Sequence, residues 1–79
     1  MAIDVKPDVT LDLKGLSCPM PTIKIKGQLK KMKSGQILLA IGTDPGTKND
    51  LPGTLKKLGD ELLGIDEENG VFKFYIKKG

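Results

Sequence analysis

The sequence predicts a small α/β fold of the α+β two-layer type, with the element order βαβαββ. Three observations predict it: short alternating or apolar segments typical of strands, two segments with apolar residues at helical spacing, and an Asn69-Gly70 pair typical of a hairpin turn. The simplest arrangement packs both helices on one face of a mixed four-stranded sheet. Residues 1–79 are expected to form a single domain, with residues 1–8 and 77–79 frayed.

The first half of the chain predicts a strand, a helix and a second strand. Residues 9–13 alternate between apolar and polar side chains, and Lys14-Gly15 breaks the pattern. Residues 19 to about 33 predict a helix that ends at Ser34-Gly35. Its inward stripe is formed by Pro21, Thr22, Ile25, Leu29 and Met32. Residues 36–41 are nearly all apolar, which is typical of a strand buried on both faces.

The second half of the chain predicts a helix followed by a β-hairpin. Residues 47–58 place Leu51, Leu55 and Leu58 on one helical face. Because proline lacks a backbone donor, Pro52 is expected near the start of this helix, in a distorted first turn. Residues 61–66 and 71–77 have the pattern of strands joined at Asn69-Gly70. One face of the last strand carries Phe72, Phe74 and Ile76.

The composition excludes several common kinds of site. The chain has one cysteine, no histidine and no arginine, and all 13 basic residues are lysine, for a net charge of +3. A Cys–His dyad, a zinc site of the usual Cys and His ligands and an intramolecular dithiol are therefore excluded within one chain. We expect no metal, no cofactor and no membrane segment. The lack of arginine and the few aromatic residues also argue against direct nucleic-acid binding.

The cysteine, Cys18, lies in the run GLSCPMP at residues 15–21. Proline suits the first position of a helix, so Pro19 would place Cys18 at the N-cap, facing the free amides and the positive end of the helix dipole. That position favours the thiolate and lowers the pKa of Cys18 below that of a free cysteine. The alternative is a small buried apolar residue, as free cysteines usually are. The two prolines and the turn upstream favour the reactive thiol.

Four residues are predicted to support this site. Gly15 is expected to provide the backbone bend that keeps the sulfur uncovered, or to be an ordinary turn glycine. Pro19 and Pro21 fix the backbone through the first helical turn. Asp44 is expected to cap the second helix or its preceding turn, with a role in holding the Cys18 loop as the less favoured alternative.

Four further residues are candidates for partner docking. Met20 and Ile23 lie off the core stripe beside Cys18, where they form either a contact patch or ordinary exposed apolar residues. Lys14 either adds positive charge near the thiol or is a solvated turn residue. Lys24 belongs to a lysine-rich helix face that either solubilises the protein or steers acidic partners.

At these motifs the chain resembles a known family. Its run LDLKGLSCPMP at residues 11–21 resembles the N-terminal signature of the TusA/SirA/YedF-like sulfur carriers, with its CPxP centre. DPGT at residues 44–47 and DLPG at residues 50–53 resemble the second signature block. The resemblance covers residues 9–78 and implies a sandwich similar to the C-terminal domain of translation initiation factor 3. It also implies that Cys18 carries sulfane sulfur as a persulfide.

The resemblance further implies a donor protein of the cysteine desulfurase or rhodanese type and an acceptor sulfurtransferase. Acceptors in the family serve tRNA thiolation, molybdenum-cofactor enzymes or sulfur oxidation. The chain is expected to be a carrier and not an enzyme on its own, because it supplies no base, metal or second thiol. A monomer is expected, and the unpaired cysteine favours the reducing cytoplasm. Two alternatives stay open: a regulatory or nucleic-acid-binding module, and a redox switch in which Cys18 forms a mixed disulfide.

Overall fold

A computed structural model of the chain describes residues 6–17 and 20–79. It contains the predicted order of elements: β1 (Val9–Leu13), α1 (Met20–Lys30), β2 (Ile37–Gly42), α2 (Pro45–Leu58), β3 (Glu61–Glu68) and β4 (Val71–Lys77). The strand order across the sheet is β1-β2-β4-β3. β1 is parallel to β2, and β4 is antiparallel to both of its neighbours, which confirms the mixed sheet. Neither helix in the described part of the chain is long and apolar enough to cross a membrane.

The core lies between the sheet and the two helices, which contact each other as well as β2 and β3. β3 contributes only the partly buried Leu62 and Ile65, and the buried set is Leu13, Ile25, Leu29, Met32, Leu38, Ala40, Leu51, Leu55, Phe72, Phe74 and Ile76. The helical stripes predicted around Leu29 and Leu55 are therefore confirmed, as is the inward face of β4. Leu58 departs from its stripe, because it lies at the exposed end of α2.

The prediction that the second strand is buried on both faces is wrong. Along β2, Leu38 and Ala40 are fully buried, whereas Ile37, Leu39 and Ile41 are only partly covered. The reason is that both helices pack on the same side of the sheet, so a second layer covers only every other residue. The second apolar face of β2 therefore faces outward.

Both helices differ from their predicted bounds at one end. α1 ends at Lys30, where the backbone changes to a tighter 3₁₀-type turn. In that turn Lys31 N donates to Gln28 O and Met32 N donates to Leu29 O, each a bond between residues three apart. Met32 remains buried although it lies beyond the helix.

α2 begins at Pro45, two residues before the predicted start, because Asp44 caps it and Pro45 occupies its first turn. Pro52 consequently lies in the helix interior, so the prediction that it belongs to the first turn is wrong. Pro52 deprives the Lys48 carbonyl of its usual amide donor. The side chains of Lys48 and Pro52 are both exposed, which places this defect on the solvent side of the helix.

The predicted hairpin turn is confirmed, and the strand before it runs to Glu68, two residues further than predicted. Asn69 and Gly70 both have positive φ, 51° and 79°, which is the geometry of a type I′ turn. An irregularity between Leu62 and Gly64 shifts the pairing of β3 with β4. Leu63 is thereby left outside the regular pairing, and its side chain is exposed.

Residues 77–79 contact other parts of the chain in this structure, and the expectation that they are frayed stays a prediction. Lys77 belongs to β4, and Lys78 exchanges backbone hydrogen bonds with Gly35 and Gln36, both of 2.8 Å. Gly79 N donates to the buried carboxylate of Asp60 at 2.7 Å, and Lys78 Nζ lies 3.4 Å from the same oxygen. At the other end, Asp8 is bonded to Ile37, and residues 1–5 lie outside the described residues.

Two glycines, one inside α1 and one at the end of α2, allow a matched test of the helix bounds. Gly27 lies inside α1 on its exposed side, and Gly59 ends α2 with a φ of 79°. A Cβ at either position meets no atom within 4 Å, so only backbone conformation distinguishes them. We expect Gly27→Ala to stabilise the protein by about 0.5–1 kcal/mol. Gly59→Ala should destabilise it by about 1–2 kcal/mol, because alanine is strained at positive φ. Urea unfolding measures both, and changes of the same sign would contradict these helix bounds.

Candidate functional site

The loops that follow β1 and β2 emerge at the same edge of the sheet. These strands are parallel and in register, with Leu13 opposite Gly42, so the segments after them leave side by side. Gly15 N donates a 3.1 Å hydrogen bond to Thr43 Oγ1 and thereby joins the two loops. Thr43 was not among the site residues predicted from the sequence. The signal that could have found it was the βαβ order, which brings the ends of β1 and β2 together.

A tight turn after β1 leads into the cysteine segment. Leu16 N donates to Leu13 O at 3.2 Å, and Gly15 has a φ of 84°, as the third residue of a type II turn requires. No atom lies within 4 Å of a Cβ built on Gly15, so the backbone conformation and not space demands glycine. The predicted bend at Gly15 is thus present, and Leu16 packs against the core just after it.

Cys18 and Pro19 lie outside the described residues, so the N-cap position of Cys18 stays a prediction. The residues on either side of them are described. Ser17 is exposed, and its carbonyl accepts a 3.1 Å hydrogen bond from the backbone N of Met20, where α1 begins. The first turn of α1 carries no acidic side chain that would offset the positive end of its dipole. Pro21 is fully buried, which anchors this turn in the core.

Asp44 caps the second helix, as predicted. Its backbone is extended, and its Oδ1 accepts a hydrogen bond from Gly46 N at 3.0 Å. The contact between the two loops that the structure describes is made by Thr43, the residue before Asp44. Asp44 therefore shapes the start of α2, and Thr43 joins that start to the turn at Gly15.

Three of the four docking candidates lie together on the outer side of α1. Met20 and Ile23 are 44% and 54% exposed, which is high for large apolar side chains, and Lys24 is also exposed. Their spacing of i, i+3 and i+4 places them on one side of the helix, and we call these three residues the α1 patch. Lys14 lies in the turn after β1, where its side chain is exposed and its backbone N donates to Asp12 Oδ1 at 3.0 Å.

Residues 6–17 and 20–79 contain no group of three or more His, Cys, Asp or Glu side chains placed to hold a metal ion. The aromatic side chains give little support to nucleic-acid binding, because Phe72 and Phe74 stack on each other inside the core. Only Tyr75 lies on the outer face of the sheet, where it is partly covered. Stacking on bases needs exposed rings.

A sequence model of the family described as sulfurtransferase TusA matches residues 9–78. The chain belongs to the TusA family. The match includes both signature blocks, the turn at Gly15, the cysteine segment and the cap of α2. The resemblance noted at the CPxP motif is therefore confirmed at the level of the family.

Similar proteins agree with this assignment. The sulfur carrier protein TusA of Allochromatium vinosum is 46% identical over 71 residues, which cover 90% of this chain and 93% of that protein. TusA of Pseudomonas entomophila is 40% identical over 75 residues, with coverages of 95% and 94%. The chain spans only 38% of a longer relative from Aquifex aeolicus, to which it is 45% identical.

The fold is shared with a solved structure. The crystal structure of a SirA-like protein from Desulfitobacterium hafniense superposes with a TM-score of 0.74 at 26% sequence identity. The superposition covers 90% of this chain and 97% of that one. TusA-type proteins carry sulfur between other proteins and are carriers rather than enzymes, so family membership supports a sulfur-carrier role with donor and acceptor partners.

Proposed function

We propose that this chain accepts sulfane sulfur as a persulfide on Cys18 from a donor protein and passes it to an acceptor sulfurtransferase. The observation that carries the proposal is the family match over residues 9–78, which contains the CPxP motif and the one cysteine of the chain. Cysteine is the only side chain present that can hold sulfane sulfur covalently.

The transfer is an exchange of sulfur between thiols. The Cys18 thiolate attacks the outer sulfur of a donor cysteine persulfide, a new S–S bond forms on Cys18, and the donor's S–S bond breaks. The donor cysteine leaves as a thiolate, so no external oxidant or reductant is needed. The outer sulfur on Cys18 then passes to an acceptor thiolate in the same way.

The described residues on either side of the Cys18 segment support a role in carrying sulfur. The turn at Gly15 is anchored by Leu16 and by the bond to Thr43, so the segment that contains Cys18 begins from a fixed point. It ends at the first turn of α1, whose positive dipole end is not offset by an acidic residue. A carrier must also present its thiol to two different proteins, and the exposed α1 patch lies next to the segment.

Intact-mass analysis of the full chain tests the proposal. After incubation with a cysteine desulfurase and cysteine, the protein should gain the mass of one sulfur atom, and a reducing agent should remove it. A second sample is incubated with oxidised glutathione. A glutathione adduct in that sample, with no sulfur adduct in the first, would support the redox switch. A chain that takes up neither adduct would instead fit the binding module.

The α1 patch gives a second test, in which Met20→Asp keeps the thiol but places a charge on the patch. We expect sulfur transfer to a protein acceptor to slow about tenfold, since a buried charge at an interface costs on the order of 1.4 kcal/mol or more. Alkylation by iodoacetamide, which needs no docking, should change less than about twofold. The measurement is the rate of labelled-sulfur transfer compared with the rate of alkylation.

Leu58→Asp provides the matched control, because Leu58 is 37% exposed but lies at the far end of α2. Its transfer rate should equal that of the unmodified chain. If both variants slow sulfur transfer equally, the effect comes from added negative charge in general. That result would contradict a docking role for the α1 patch.

A further inference from the structure

The charges of this chain separate between its two layers. Between Asp12 and Asp44 the sequence contains six lysines and no acidic residue. Together, α1, the turn after it and α2 carry eight lysines and one acid, Asp50, whereas the edge strand β3 carries four acids and no lysine. The helical layer is therefore basic and the β3 edge of the sheet is acidic, although the net charge is only +3.

The basic charge is concentrated on the exposed side of α1. The lysines of this helix and of the turn after it all have exposed side chains, and we call them the α1 lysines: Lys24, Lys26, Lys30, Lys31 and Lys33. Within residues 6–17 and 20–79, none of their side chains forms a salt bridge. Lys48 of α2 differs, because its Nζ lies 3.0 Å from Glu67 Oε1.

This arrangement of lysines is unfavourable within the chain itself. Lys26 and Lys30 are four residues apart on one helix, and like charges at this spacing destabilise a helix. No acidic residue of α1 offsets the repulsion, because the helix contains none. Like charges without an internal partner are suited to opposite charges on another molecule.

An apolar line runs between the lysines on this side of α1. Met20, Ile23 and Gly27 lie at i, i+3 and i+7, and all three are exposed. At about 100° per residue, Lys24 lies on one side of the line and Lys26 on the other. A Cβ built on Gly27 meets no atom within 4 Å, so the middle of the line is open. An apolar centre with a polar rim is the usual organisation of a protein-binding surface.

We propose that the exposed side of α1 binds an acidic surface of the protein that accepts sulfur from Cys18. The inference rests on the proposed function for the identity of this partner. Met20 and Ile23 contact an apolar centre on the acceptor, and the α1 lysines pair with carboxylates around that centre. Because the Cys18 segment leads directly into α1, an acceptor bound along this helix lies next to the segment.

Two other anionic partners fit this surface less well. Nucleic-acid binding uses arginine forks and exposed aromatic rings, whereas the chain has no arginine and Phe72 and Phe74 lie in the core. A helix that lies on an anionic membrane needs a large apolar face, and α1 exposes only Met20 and Ile23 of its large apolar side chains. Methionine is enriched at protein interfaces, which favours a protein partner.

The separation of charge also orients the acceptor. An acidic surface is attracted to the helical layer and repelled by the acids of β3, which are Glu61, Asp66, Glu67 and Glu68. Attraction of this kind accelerates association and weakens as salt screens the charges. Binding at α1 should therefore depend strongly on ionic strength.

The first test uses a helical peptide with a leucine stripe flanked by glutamates as the probe. The peptide is titrated into the full chain and followed by backbone amide NMR. We expect shifts confined to α1 and the turn after it, and a Kd that rises about tenfold from low to physiological salt. The same peptide with glutamine in place of glutamate should bind about tenfold more weakly or less.

A Cys18→Ser chain should bind the acidic peptide with the same Kd as the unmodified chain. Peptide binding needs no sulfur chemistry, so a failure of this proposal is distinguishable from a failure of the carrier function. A DNA oligonucleotide and vesicles of anionic lipid are tested as competing probes.

The second test removes charge from the two sides of the apolar line with the double variant Lys24→Gln, Lys26→Gln. Glutamine keeps the helix propensity of lysine, and one like-charge pair is relieved, so the urea midpoint should change little. We nevertheless expect the Kd for the acidic peptide to rise about tenfold and sulfur transfer to the acceptor to slow by a similar factor. The matched control is Lys73→Gln, Lys77→Gln, which removes the same charge from β4 and should change both values less than about twofold.

Equal effects of the two double variants would overturn the proposal, because net charge alone would then explain them. Shifts on the sheet, no binding of the acidic peptide at millimolar concentration, or tighter binding of the oligonucleotide or the vesicles would also overturn it. If the α1 double variant slows sulfur loading by a cysteine desulfurase but not transfer to the acceptor, the acceptor is the wrong occupant and this face belongs to the donor.

Discussion

Cys18→Ser is expected to abolish sulfur transfer while the fold remains intact. A hydroxyl cannot form the S–S bond that holds sulfane sulfur, and the chain contains no other thiol to take its place. Serine is also a favoured residue at a helix N-cap, the position predicted for residue 18, so little stability should be lost. Transfer of radiolabelled sulfur from a cysteine desulfurase, followed on denaturing gels without reductant, measures the first effect, and thermal unfolding measures the second.

A matched variant separates the need for a thiol from the need for its position. Ser17→Cys combined with Cys18→Ser moves the thiol by one residue onto an exposed position and keeps the composition of the motif. We expect this double variant to react with iodoacetamide but to transfer sulfur to an acceptor far more slowly than the unmodified chain. Sulfur labelling of the Cys18→Ser variant itself would refute the carrier function.

Loss of a core leucine is expected to have the largest effect on stability. Leu29 on α1 and Leu55 on α2 are each 1% exposed and pack in the single core between helices and sheet. Replacement of either by alanine should cost about 2–5 kcal/mol, from lost apolar burial and from the cavity that remains. A domain of this size has a total stability of about 4–12 kcal/mol, so either variant approaches the threshold of unfolding.

Neighbouring positions provide the controls for this prediction. Lys30, next to Leu29, is exposed, and Lys30→Ala should change the free energy of unfolding by less than about 0.5 kcal/mol. Leu29→Met conserves volume and should cost less than about 1.5 kcal/mol. Urea unfolding followed by circular dichroism provides all the values. Similar losses for Leu29→Ala and Lys30→Ala would contradict the helix orientation.

Features that depend on a few consecutive residues were predictable from the sequence. β1 occupies the predicted residues, and the Asn69-Gly70 turn has the predicted positive φ values. The cap at Asp44 is likewise local, because its carboxylate reaches an amide two residues ahead. The CPxP segment and the second signature block resembled the family that the match over residues 9–78 then confirmed. Each of these features depends on a few consecutive residues, because backbone dihedral preferences and hydrogen bonds between near neighbours determine the local structure.

Helix bounds were predictable only in part, because several competing local signals act there. The second helix was predicted to start near residue 47 with Pro52 in a distorted first turn, yet the capped start at Asp44 and Pro45 leaves Pro52 in the interior. Stabilisation from the burial of Leu51 and Leu55 on either side of Pro52 outweighs one missing hydrogen bond.

The sequence by itself determined the order of elements, the inward stripes, the hairpin and the one residue able to carry sulfur. Only the tertiary structure decided that Thr43 joins the turn at Gly15, that Asp60 holds Gly79, and that one apolar face of β2 is only partly covered. These contacts link residues far apart in the chain, and periodicity along one segment contains no information about which segment lies opposite. An apolar run shows that a strand can be buried on both faces, but the number of layers that the whole chain forms decides whether it is.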